Sequence, residues 1–172
     1  NVVEGVNNCS LIYDSYTSDL HSLTPAIDFM QLRATATQSL TVILSDVMHE
    51  TMEASALYNA VAHLLKQKDV DRIIGIGEEI SSYSGYFDGN SIFYKSTSEF
   101  LASISASDFD NELILVKGAS HFNFEQIIEA LEAKQHETVL EVNLDAVVHN
   151  YNFYRSYVKP ETGIVCMVKA SG

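Results

Sequence analysis

Short apolar runs that end in polar tips, and alternate with stretches of helical spacing, constrain this chain more than any other feature. Leu11-Ile12-Tyr13 runs into Asp14, Ser39 to Leu44 into Ser45-Asp46, and Glu112 to Lys117 into Gly118-Ala119-Ser120, with Arg72 to Gly77 as a fourth run. Strands alternating with helices require right-handed crossovers, so the expected fold is α/β, a doubly wound, mainly parallel sheet. Parallel strands bring their carboxyl ends to one edge, where open α/β sheets bind ligands. Asp14, Ser45 and Lys117 are therefore predicted to lie together.

The rest of the chain fits around those runs. Val2 to Val6 and Cys9 to Tyr13 predict a hairpin about Asn7-Asn8. Leu23, Ile27 and Met30 predict a helix starting near Ser22, and Ala54, Leu57, Val61, Leu64 and Leu65 predict one over 53–68. Lys66 and Lys68 suit the negative end of that second helix. A short helix after Gly77, a strand over Ser91–Tyr94 and helices over Ser98–Ile104 and Phe124–Leu131 complete the pattern. Beyond Lys134-Gln135-His136 a strand (Thr138–Val142), a helix (Leu144–Tyr157) and a strand (Gly163–Val168) read as a β-α-β tail. Residues 1–135 and 136–172 are thus expected to be separate domains.

Composition narrows the function. At 172 residues and 47% hydrophobic the chain can build a sizeable core. Its formal charge of −13 repels phosphate backbones and anionic membranes, which argues against nucleic acid or membrane partners and favours solubility. Cys9 and Cys166 stand far apart in apolar contexts, as buried reduced thiols of a cytoplasmic protein do. No run approaches the roughly 20 apolar residues of a membrane span, and no signal-peptide pattern opens the chain. The start at Asn1-Val2-Val3 reads as a cut inside a longer protein.

Several familiar signals fail on inspection. Gly75-Ile76-Gly77 lacks the third glycine of a dinucleotide fingerprint, and His49-Glu50 has Glu53 where a zinc helix needs its second histidine. No GxxxxGK[ST] phosphate loop or nucleophile elbow occurs, so neither a catalytic residue nor a metal ligand is assigned. Asp14, at a strand tip, can accept hydrogen bonds from a ribose or an amine, or cap a helix. Lys117, taken alone, reads as a solvated strand-end lysine.

The residues also resemble a known family. Asp14 to Ser22 (DSYTSDLHS) is similar to the DSYN[AS][NS]PxS segment opening the C-terminal domain of the Mur ligase that adds D-alanyl-D-alanine to the muramoyl tripeptide. Leu44 to Met48 resembles that family's LGDM stretch, Ile74 to Gly77 its IGVG, and Leu115 to His121 its LVKGSR loop. Thr17, Leu20 and His121 replace the usual Asn, Pro and Arg. The resemblance implies a Rossmann-like domain of a ligase in which ATP, with Mg, activates a UDP-N-acetylmuramoyl-tripeptide carboxylate for attack by D-Ala-D-Ala. It implies that Asp14 and Tyr16 approach the adenosine of ATP held on a central ligase domain, which with an N-terminal ligase domain lies outside this chain. It also implies that Lys117, Ser120 and His121 face the dipeptide, so that Lys117→Ala raises the KM for the dipeptide more than that for ATP.

The tail resembles alanine racemase instead. Leu140 to Tyr151 is similar to its LEINLDALxHNY opening, and Val168-Lys169-Ala170 to the VKA whose lysine holds pyridoxal phosphate, with Ser171-Gly172 in place of Asn-Ala. Together the two resemblances imply a bifunctional ligase and racemase, of which this chain alone is expected to be inactive and to hold neither ATP nor pyridoxal phosphate. A homodimer through the tail strand remains open. The other reading is a nucleotide- or small-molecule-binding regulatory α/β module, which would bind ATP tightly on its own.

Overall fold

The apolar runs become strands β1 (Val2–Glu4), β2 (Ser10–Asp14), β3 (Ser39–Ser45), β4 (Arg72–Ile76), β5 (Ser91–Tyr94) and β6 (Glu112–Lys117). The structure is a computed structural model that describes residues 2–48, 50–133 and 143–165. All six strands join one sheet in the order β1-β2-β6-β3-β4-β5. Only the hairpin pair β1 and β2 is antiparallel; the other neighbours run parallel. In the hairpin turn, Asn7 and Asn8 take φ of 49° and 62°, the left-handed region that asparagine tolerates better than most residues.

Six α-helices lie among the described residues: α1 (Leu20–Arg33), α2 (Ala54–Gln67), α3 (Glu78–Ser82), α4 (Thr97–Ser103), α5 (Glu125–Leu131) and α6 (Leu144–Ser156). Successive strand residues point to opposite faces, and the sheet fills two cores in that alternation. Leu113 and Leu115 of β6 join Leu23, Ile27 and Met30 of α1 and Leu57, Val61 and Leu65 of α2. Ile114 and Val116 join Phe100 of α4 with Ile127 and Leu131 of α5. A strand covered on both faces must be apolar throughout, which is why β6 reads as a near-continuous apolar run.

The charged ends of β6 are buried as well. At its amino end the Glu112 carboxylate accepts from the Thr41 hydroxyl and from Arg72 Nη1 at 3.3 Å. Arg72 also lies over the Phe109 ring, 4.9 Å from its centroid. Such a buried pair survives because each charge has partners. Elsewhere Lys68, just past α2, pairs with Asp28 of α1.

The chain divides into two compact units, Asn1–Gln135 and His136–Gly172. In the second, α6 is capped by Asn143, whose side chain accepts from the Ala146 N–H at 3.1 Å. The expected strand over Gly163–Val168 is corrected in part, because Gly163, Ile164 and Val165 carry no strand. An apolar run becomes a strand only where a neighbour supplies its backbone hydrogen bonds. The expected strand over Thr138–Val142, along with Cys166 and Lys169, lies outside the described residues. No helix among the described residues is long and apolar enough to cross a membrane.

Candidate functional site

Strand order decides where a site can form. β6 comes last of the strands but lies between β2 and β3. The chain leaves β2 and β3 toward α1 and α2 on one face, and leaves β6 toward α5 on the other. The loops therefore part at the carboxyl tip of β6 and open a crevice. Asp14 pairs in register with Lys117, and Lys117 with Leu44, so Asp14, Lys117 and Ser45 share this edge.

Lys117 is not the solvated strand-end lysine that it resembles in isolation. Its side chain is 0% exposed, and Nζ donates to Asp14 Oδ2 at 2.8 Å and to the Thr17 carbonyl at 2.9 Å. The Asp14 side chain stays 37% exposed, so its carboxylate reaches the crevice while Lys117 does not. The loop after β2 is held further by the Met48 N–H, which donates to the Ser18 carbonyl at 2.6 Å. Asp14 does not cap α1. Asp19 does, accepting from the Ser22 N–H at 2.8 Å, so the helix begins at Leu20 rather than near Ser22. Burial works to raise the Asp19 carboxyl, but hydrogen bonds from Ser22, the Lys117 charge and the His21 N–H outweigh it and leave Asp19 below its ordinary value.

The tips of β3, β4 and β6 are bound to one another. Ser45 Oγ accepts from the Ala119 N–H at 3.0 Å and donates to the Asp46 carbonyl at 3.0 Å. Asp46 Oδ1 accepts from the Ile80 N–H at 2.8 Å and so caps α3 from across the sheet. Burial raises the Asp46 carboxyl, against the lowering effect of the Ile80 and Glu79 N–H groups and of His121. Two glycines let these groups approach. Gly77 has φ of 148°, and a Cβ there would lie 2.1 Å from Asp46 Oδ1; one on Gly118 would lie 2.6 Å from the Phe124 ring.

The remaining predicted residues sit on the rim. Tyr16 is 90% exposed, and Ser120 and His121 are exposed on a 3-10 turn over Ser120–Phe122. Beside Asp14 a cleft of about 380 Å³ is lined by Ile12, Tyr13, Pro25 and Phe29. Another of about 470 Å³ is lined by Asp19, His21, Met48, Glu50 and Thr51. Among the described residues no group of three or more His, Cys, Asp or Glu side chains could hold a metal ion. Asp19, Asp46, Ser45 and Gly77 carry the geometry of this edge. The Asp19-x-x-Ser22 spacing signals a cap, whereas nothing local marks Asp46, whose partner is far along the chain.

No protein-family model matches the chain, and no curated protein matches it in sequence. Among solved structures it is similar to a murein peptide ligase from Psychrobacter arcticus 273-4, with a TM-score of 0.54 and 14% identity over 83% of this chain. The chain shares its fold with part of that ligase. It spans 30% of the ligase's length. A domain assigned to a UDP-N-acetylmuramate ligase from Haemophilus ducreyi 35000HP aligns with 74% of this chain and 97% of its own, at 14% identity and a TM-score of 0.49.

Two departures from the Mur ligase pattern have a physical reading here. Lys117 takes the backbone carbonyl of Thr17, so that bond is indifferent to the side chain at position 17. Leu20 opens α1, where proline is favoured for its fixed φ; with Asp19 capping, Leu20 instead adds an apolar contact to the core.

Proposed function

We propose that this chain serves as the C-terminal domain of a larger ATP-dependent ligase joining D-Ala-D-Ala to UDP-N-acetylmuramoyl-tripeptide, followed by the opening of an alanine racemase domain. One observation carries the ligase reading: the four stretches that resemble the Mur ligase, widely separated in sequence, each include the carboxyl tip of a strand, β2, β3, β4 or β6, and so border one sheet edge.

In this reading the nucleotide and its Mg are held by a phosphate loop on another domain, because this chain carries no such motif. The residues that fit a nucleotide's sugar and base are Asp14, a half-exposed acceptor for ribose hydroxyls, the apolar cleft beside it, and the exposed ring of Tyr16. Ser120 and His121 offer a hydroxyl and an imidazole to the dipeptide carboxylate. Closing this edge over the reacting groups would exclude water from an activated carboxylate and position the amine. Lys169, which lies outside the described residues, would hold pyridoxal phosphate in the racemase.

Titrating ATP into the 172-residue chain tests the assignment. The ligase reading predicts no tight binding and no hydrolysis, since an isolated ribose contact contributes little without the phosphates. Tight binding by this chain alone would favour the regulatory nucleotide-binding module.

A further inference from the structure

Lys117 is the most deeply buried cation described at this edge, and its two partners are the last residue of β2 and the loop that follows it. A buried ion pair adds little net stability compared with apolar side chains of the same volume, so the pair calls for an explanation other than holding the core together. Asp14 belongs to β2 and Thr17 to the loop, and one ammonium group spans them from β6. The Gly118 N–H adds a bond to the Asp14 carbonyl at 3.3 Å, and the loop in turn receives Met48 from the β3 side. Asp14 Oδ2 is thereby occupied, and the carboxylate's rotation is fixed with part of its surface toward the crevice.

We infer that Lys117 is a positioning residue that latches the loop after β2 and aims the Asp14 carboxylate at a nucleotide's ribose hydroxyls, without itself touching the dipeptide. The inference rests on the ligase reading, and it reverses the substrate dependence that the sequence resemblance alone implies for Lys117. A dipeptide carboxylate could reach Nζ only by displacing Asp14 and the Thr17 carbonyl.

Lys117→Met keeps the volume and removes the charge, and Asp14→Asn/Lys117→Met removes both charges so that neither is left buried alone. The first measurement is amide hydrogen exchange on the 172-residue chain. Losing charge-assisted bonds should speed exchange of residues 15–19 and Met48 roughly ten- to a hundredfold, while amides of β4 and α2 stay unchanged. Uniform acceleration across the sheet, or none in the loop, would overturn the latch. The second measurement is steady-state kinetics in the ligase that contains this chain. Lys117→Met should raise the KM for ATP roughly ten- to a hundredfold and leave that for the dipeptide unchanged. Asp14→Asn should do the same, with the double variant no worse than the worse single one, as expected of residues acting through one another. A rise in dipeptide KM alone, or additive effects of the two substitutions, would show direct contact and refute the inference. A wild-type protein with no ligation would refute the ligase reading, while loop exchange still decides the latch.

Discussion

Gly77→Ala should be among the most damaging single-methyl additions in this protein. At φ of 148° an L-residue is strained, and the new Cβ would sit 2.1 Å from Asp46 Oδ1 and 2.3 Å from its Cγ. Backbone strain of that kind costs about 1–3 kcal/mol. The clash also drives the Asp46 carboxylate from the Ile80 N–H, a charge-assisted bond of 2.8 Å whose loss costs about 1.5–3 kcal/mol. Together these reach about 2.5–6 kcal/mol, against a typical domain stability of roughly 5–15 kcal/mol. Urea unfolding followed by circular dichroism measures the change, with the slope checked for constancy. The control is Asp46→Ala, which forfeits the same bond at about 1.5–3 kcal/mol but removes the atoms that the methyl strikes. Asp46→Ala/Gly77→Ala should therefore cost at least about 1 kcal/mol less than the sum of the singles. A Gly77→Ala variant within about 0.5 kcal/mol of wild type, or strict additivity, would refute the reasoning.

Other outcomes follow from the same edge. Because burial raises the folded Asp46 carboxyl above its ordinary 3.8, the native state binds the extra proton and stability falls as pH rises through that window; Asp46→Asn keeps an acceptor and should lose that slope in urea midpoints measured across pH. Asp19 is depressed, so its contribution has the opposite sign, being present above the ordinary aspartate range and lost as pH falls through the folded value, a loss that Asp19→Asn should abolish. Ser45→Ala leaves the Ala119 N–H without its acceptor and should cost about 1–3 kcal/mol in denaturant unfolding. Pyridoxal phosphate added to this chain should give no Lys169-dependent absorbance change, with Lys169→Ala as control; a specific change would contradict the expectation that this chain alone holds none.

Most of the sheet was legible because its strands are buried on both faces and announce themselves by apolar runs, β6 above all. The helices were legible from Leu23, Ile27 and Met30 and from Leu57, Val61 and Leu65, whose spacing is the spacing of the cores they fill. The alternation of strand and helix placed Asp14, Ser45 and Lys117 at one edge before any coordinates were needed. What sequence could not carry was which groups pair across that edge. Lys117 looks solvated until Asp14, 103 residues away, is brought beside it. Asp46 looks like a loop residue until Ile80 presents its N–H. The tail run at Gly163 to Val165 shows the converse, since β-type residues without a described partner strand do not make a strand.

The proposed ligase role has this edge closing over a nucleotide. The most direct measurement is inorganic phosphate release by the larger ligase proposed to contain this chain, supplied with ATP, Mg and UDP-N-acetylmuramoyl-tripeptide. The expected result is phosphate release that depends on D-Ala-D-Ala, is matched mole for mole by the amide product, and is lost when this chain is deleted. Dipeptide-dependent release that persists without this chain, or none with it present, would contradict the claim.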